Sequence, residues 1–207
     1  MTPFINWLSQ LPSLISTPAA WGIFLTGAGI YLINEWRIRF LMWGAQYFFV
    51  GILFARIFDT RPEMALLKTL VGWLICGAFL ISARVRGQTT PQVGPRWRWS
   101  SNLPFRILSL LTMTVVAYLA SQKYPLPFIS ADLALACFIL IVLAILFIGT
   151  EEDDALVTGV GVLNLLSALD IFYSSQDPGL LVTGLLVMVN LLIGLAASYL
   201  AVVEVAE

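Results

Sequence analysis

Few residues in this chain could move a charge, and most of them lie where a charge is costly. Lys68 stands five residues after Glu63, inside an apolar run that begins near Met64. Asp170 stands roughly one helical turn before the far end of another run, Ala155 to Tyr173. A lysine in apolar surroundings exchanges its proton readily, which makes Lys68 a candidate proton carrier. The competing reading sends its long side chain outward to the lipid headgroups. Lys68 and Asp170 share a depth and carry opposite charges, so a pair between the two runs is an expectation. Three amides, Gln46, Asn164 and Asn190, sit within runs. Each can bond another helix or hold a chain of waters, but an amide does not titrate. Arg56 and Asp59 are spaced for a local pair at a helix end, and Asp132 reads as an N-cap with Ser130 the alternative. The chain has no histidine, which removes the usual axial ligand of haem and the commonest metal ligand. Its two cysteines, Cys76 and Cys137, each lie inside an apolar run and read as small buried hydrophobes. There is no Ser-His-Asp set, P-loop or GxGxxG. The expectation is a chain with no catalytic residue, no metal and no cofactor of its own.

The elements that must position these groups are membrane helices. Of 207 residues, 59% are hydrophobic and 11% charged, and the mean hydropathy is +0.91. Soluble domains carry about 25% charged residues. A net charge of -1 offers nothing to a nucleic acid. The last run, Gly179 to Val203, has no charged residue and exceeds the ~20 residues that a crossing needs. Asn190 lies near its middle among Gly184, Gly194, Ala196, Ala197 and Ser198, so this run is expected to pack on protein over at least one face. Earlier runs are Ala19–Asn34, Phe40–Phe58, Met64–Ala83, Pro104–Ser121, Leu133–Gly149 and Ala155–Tyr173. Residues 1–18 lack a basic n-region and read as an interfacial amphipathic segment or a disordered tail, not a signal peptide.

The runs also show a repeat. Shifted by 116 residues, Glu35 falls on Glu151 and Pro62 on Pro178. The expected fold is an all-α polytopic bundle of seven transmembrane helices. It comprises two parallel three-helix units, 19–83 and 131–207, joined by a linking helix and outer loop at 104–130. A basic loop, 84–103, precedes that linker. Arg37, Arg39, Arg84, Arg86, Arg96, Arg98 and Arg106 fall on one side. By the positive-inside rule the N-terminus is then outside and the C-terminus cytoplasmic, in the cell's inner membrane. Trp97 and Trp99 alternate with Arg96 and Arg98, a pattern that suits a headgroup anchor or a docking surface for a cytoplasmic subunit.

Two stretches carry a family resemblance: Val189-Asn190-Leu191-Leu192-Ile193-Gly194-Leu195-Ala196 and Leu163-Asn164-Leu165-Leu166-Ser167-Ala168-Leu169. With them, the last three runs resemble the K-type subunit of respiratory complex I and the C subunit of Mrp-type sodium/proton antiporters. From Glu35-Trp36-Arg37 through Pro62-Glu63-Met64 to Ser82-Ala83-Arg84, the whole is similar to component E of hydrogenase-4-type membrane complexes. The resemblance implies a non-catalytic subunit packed beside antiporter-like integral membrane subunits and lipid, scaffolding or flanking a proton or sodium path. K-type subunits carry buried glutamates in their second and third helices. Here Asn190 takes the third-helix place, and no carboxylate lies around Val160–Leu163, so that carboxylate relay is missing from this half. Lys68, Asp170, Asn190, Asn164, Gln46 and Glu63 are the ion-path candidates, and Arg84, Arg86, Arg96, Trp97, Arg98 and Trp99 the partner or headgroup contacts. A structural subunit of another photosynthetic or respiratory assembly is the alternative. A stand-alone small-solute carrier is a third reading; the parallel repeat and the scarcity of mid-membrane charge argue against a carrier for charged solutes.

Overall fold

Long apolar runs in lipid must satisfy every backbone N–H and C=O internally, and a chain with helix-length runs does this by forming helices. The computed structural model describes residues 3–33, 35–59, 61–89, 102–124, 129–149, 155–176 and 179–203, with side chains from residue 18 onward except at 36, 62 and 86–89. Seven helices account for most of them: α1 Pro3–Leu32, α2 Trp36–Ile57, α3 Pro62–Thr89, α4 Leu103–Lys123, α5 Ala131–Ile148, α6 Ala155–Ser174 and α7 Leu180–Val203. Six of these, α2 to α7, are long and apolar enough to cross a membrane. The chain is a multi-pass, all-helical membrane protein.

Two boundaries differ from the sequence reading. No break separates residues 3–18 from the first run, because α1 is continuous from Pro3. Among the residues whose side chains are described, its apolar part is Pro18–Leu32. Helix α3 runs on to Thr89, so Arg84 and Arg86 belong to its last turns and not to a loop. Arg106, grouped by sequence with the basic side, turns inward: it is buried in the second turn of α4, donates to the Tyr31 carbonyl at 2.9 Å, and lies over the Tyr31 ring. Arg96, Trp97, Arg98, Trp99 and the acidic run 151–154 lie outside the described residues.

The helices form two rows. Helix α2 packs between α1 and α3, and α6 between α5 and α7. The rows then stack, α1 on α5, α2 on α6 and α3 on α7, while α4 covers α5 and the edge of α1. Residues at matching places meet across the stack. Ser82 and Ser198, 116 apart in sequence, share a hydrogen bond of 2.6 Å. The Leu143 side chain occupies the place where a Gly27 Cβ would stand, again 116 apart. Gln46 bonds Asn164, 118 apart. The end that carries the α2–α3 and α6–α7 turns is called the Lys68 end below, and the opposite one the Arg39 end.

Close approach between helices depends on small residues, because lipid offers no hydrophobic drive to bring them together. A Cβ at Gly159 would stand 2.6 Å from the Ala197 Cβ, and one at Gly194 would meet Ile75. Ala197 has no rotamer with which to yield. Gly184, on the outward face of α7, has nothing within 4 Å. Gly159→Leu is therefore expected to cost about 1–3 kcal/mol through overpacking. Gly184→Ala is expected to leave the thermal unfolding midpoint of the detergent-solubilised protein unchanged. Equal midpoints for the two variants would contradict this packing.

Candidate intramembrane ion-pair site

Two helical periodicities bring the site together. Lys68 lies six residues into α3, about 9 Å from its start at 1.5 Å per residue. Asp170 lies four residues from the end of α6, about 6 Å in. The helices run in opposite directions, so the two side chains reach one level at the Lys68 end. There Lys68 Nζ donates to Asp170 Oδ1. It also donates to Ser174 Oγ at 2.8 Å, and Ser174 in turn donates to the same carboxylate oxygen at 3.3 Å. The ammonium stands over the Phe54 ring at 4.5 Å and the Phe58 ring at 5.4 Å, so two π faces hold it from the α2 side. The side chains of the pair are 2% and 3% exposed, which rules out the outward-reaching reading of Lys68.

The pair borders a small cavity of about 20 Å³ among α2, α3, α6 and α7. Its polar lining adds Thr69 from α3, Tyr47 from α2, Ser167 from α6 and Asn190 from α7. Ser167 Oγ donates to the Leu163 carbonyl at 2.8 Å. Val50, Val71, Ile75 and Val187 supply apolar wall. The cavity has room for a water molecule, which needs two to four polar partners of the kind present here.

Deeper along the α2–α6 contact, Gln46 Nε2 donates to Asn164 Oδ1 at 2.8 Å. Both residues are buried, at 2% and 3% exposure. Gln46 Oε1, Asn164 Nδ2 and Asn190 Oδ1 find no partner among the described residues. A buried polar atom left unpaired costs about 1–3 kcal/mol. Three together in one bundle therefore point to bound water.

Other sequence candidates fall elsewhere. Glu63 is exposed in the first turn of α3 and takes no part in the cavity. Asp132 is not an N-cap: Ser130 holds that place, without a side-chain cap bond. Asp132 instead accepts from Arg56 Nη1 at 3.2 Å, tying α2 to α5, so Arg56 reaches across the bundle rather than along its own helix end to Asp59. Arg84 is exposed on α3, and the Arg86 side chain lies outside the described residues. Cys76 and Cys137 are free thiols with carbonyl contacts to Phe40 and Ala168. Among the described residues no group of His, Cys, Asp and Glu could hold a metal ion.

Sequence reasoning missed Ser174, Phe54, Phe58, Tyr47, Thr69 and Ser167. The spacing of Asp170 and Ser174, one turn apart, was a readable signal for the first. The others are ordinary apolar-run residues until the rows are stacked.

Fold and site together define a multi-pass helical membrane protein with a buried lysine–aspartate pair beside a polar cavity. Comparison with protein families, curated proteins and solved structures finds no match for the chain.

Removing one partner of a buried pair leaves an uncompensated charge and costs about 3–5 kcal/mol. Lys68→Met and Asp170→Leu should each lower the thermal midpoint strongly, and the double variant Lys68→Met/Asp170→Leu should recover much of that loss. Asp132→Ala breaks a pair whose side chains are 26% and 30% exposed and should cost at most about 1 kcal/mol. A double-mutant cycle read by thermal unfolding checks both, and additive single effects at Lys68 and Asp170 would contradict the coupling.

Proposed function

We propose that this chain is a membrane subunit of an ion-translocating complex of the complex I, hydrogenase or Mrp kind, in which Lys68 and Asp170 handle a proton or sodium ion. The observation that carries this reading is the pair itself, almost wholly buried yet bordering a cavity lined by four further polar side chains. Ionisable residues inside a membrane are costly and mark ion pathways more often than structural staples. A proton passed from Lys68 Nζ to the Asp170 carboxylate would turn two charges into two neutral groups, and its return would restore them. The Ser174 hydroxyl can follow either state, because it both accepts and donates.

In this reading the stacked rows are two parallel three-helix units joined by α4, and all seven helices cross the membrane. Contacts between residues 116 apart support the repeat. The buried Ala19, Ala20 and Ile23 of α1 support its place as a crossing helix. The Arg39 end is the cytoplasmic one in the inner membrane, with the N-terminus outside. Arg84, Arg86, Arg96, Trp97, Arg98 and Trp99 remain the proposed contacts to headgroups or a cytoplasmic subunit. The open edge formed by α3 and α7, where Leu181, Leu185, Met188 and Leu192 stand exposed, is where a neighbouring membrane subunit packs. The resemblance of the last three helices to K-type subunits supports the same assignment, and Asn190, at the place of their glutamate, lines the cavity of the pair.

Purification of the native complex in mild detergent should bring antiporter-like subunits with this chain. In membrane vesicles containing that complex, Lys68→Met and Asp170→Asn should lower ion movement about tenfold or more while the complex stays assembled on native gels. Recovery of the chain alone, or undiminished ion movement in both assembled variants, would defeat the reading.

A further inference from the structure

We propose that Gln46, Asn164 and Asn190 form a water-binding station at the middle of the bundle, open to the Lys68 end and closed toward the Arg39 end by a dry aromatic layer. The levels agree first. Gln46 lies eleven residues from the end of α2, Asn164 ten from the end of α6, and Asn190 ten from the start of α7. At 1.5 Å per residue all three stand about 15–17 Å from the Lys68 end, half of a hydrocarbon layer of roughly 30 Å.

The chemistry agrees next. Gln46 Oε1 and Asn190 Oδ1 are acceptors without a donor, and Asn164 Nδ2 is a donor without an acceptor. Water both donates and accepts, so it can complete this set, whereas a metal ion could not take the amide N–H. Asn190 joins the station to the cavity of the ion pair, since it lines that cavity with Tyr47 and Ser167.

On the far side the surroundings change character. Trp43 stacks on Phe79 with ring centroids 4.6 Å apart, and both rings are sealed from solvent. The same indole touches Tyr47, on the wet side, at 5.4 Å. Beyond it lies a second cavity of about 60 Å³, walled by Trp43, Phe79, Phe40, Phe147 and aliphatic side chains, with Arg39 its one charged neighbour. An apolar cavity of this kind stays dry, and such constrictions stop water by dewetting. The amides do not titrate, so they act as positioning residues that hold the water through which the Lys68–Asp170 pair extends inward. That conducting role rests on the function proposed above; the water site does not.

Pulsed hydroxyl-radical footprinting with mass spectrometry of the full-length protein reads this directly, because side chains next to bound internal water are oxidised and dry ones are not. Tyr47 should be labelled, Trp43 and Phe79 silent. In Asn190→Leu the Tyr47 label should be lost, and in Asn190→Ser, which keeps an oxygen, it should persist at least in part; circular dichroism and the elution profile establish that each variant is folded. A silent Tyr47 in the unmodified protein, or a label that survives Asn190→Leu, overturns the station. Labelling of Trp43 and Phe79 comparable to Tyr47 overturns the closed end. The labelling needs no ion movement. If it follows this pattern while Lys68→Met still translocates normally, the water site stands and the function proposed for the pair falls.

Discussion

A lysine and an aspartate held together inside a bundle with no bulk water to solvate them set the terms for the rest of this structure. Separated charges at that depth would each carry a desolvation penalty of several kcal/mol, so the fold must bring α3 and α6 together where those residues lie. It does so by stacking two rows of helices, and the stack places aromatic faces and a serine around the charges. The pair is then tolerable, but it is not an efficient source of stability. Well-packed apolar side chains of similar volume would serve as well or better.

The polar groups of the stack lie along one interface and change in kind from end to end. Charges lie near the Lys68 end, amides at mid-depth, and a wall of aromatic rings beyond them, with the Ser82–Ser198 bond near the Arg39 end. Such an order has a physical logic. Charged groups are least costly close to the membrane surface, amides can remain neutral at the centre, and a dry layer keeps the two sides of the membrane from exchanging ions freely. The small residues Gly159 and Gly194 make the arrangement possible, because Gly159 lets α6 approach α7 closely and Gly194 lets α7 approach α3.

Depth was legible in the sequence; facing was not. The position of Lys68 within its run and of Asp170 near the end of another follow from counting residues at a fixed helical rise. Opposite charge then suggested the pair. Which residues surround it could not be counted. Helices that are apolar on every side carry no periodic signal for the inward face, so Tyr47, Phe54 and Ser167 looked like their neighbours. Asp132 shows the same limit: its place at a helix start suggested a cap, while the stacking of rows handed it to Arg56. Glu63 shows the converse, a charge near the right run that the first turn of α3 turns outward.

The sequence by itself determined that this is a membrane protein of long apolar helices, that its ionisable groups are few, and at what depth each one lies. Composition and helical rise suffice for that, because the bilayer admits only structures that satisfy their own backbone. The tertiary structure alone decided which row stacks on which, that Gln46 meets Asn164, and that Trp43 and Phe79 divide a polar cavity from an apolar one. Those outcomes depend on rotation about each helix axis, and rotation is set by the side chains of the neighbouring helix.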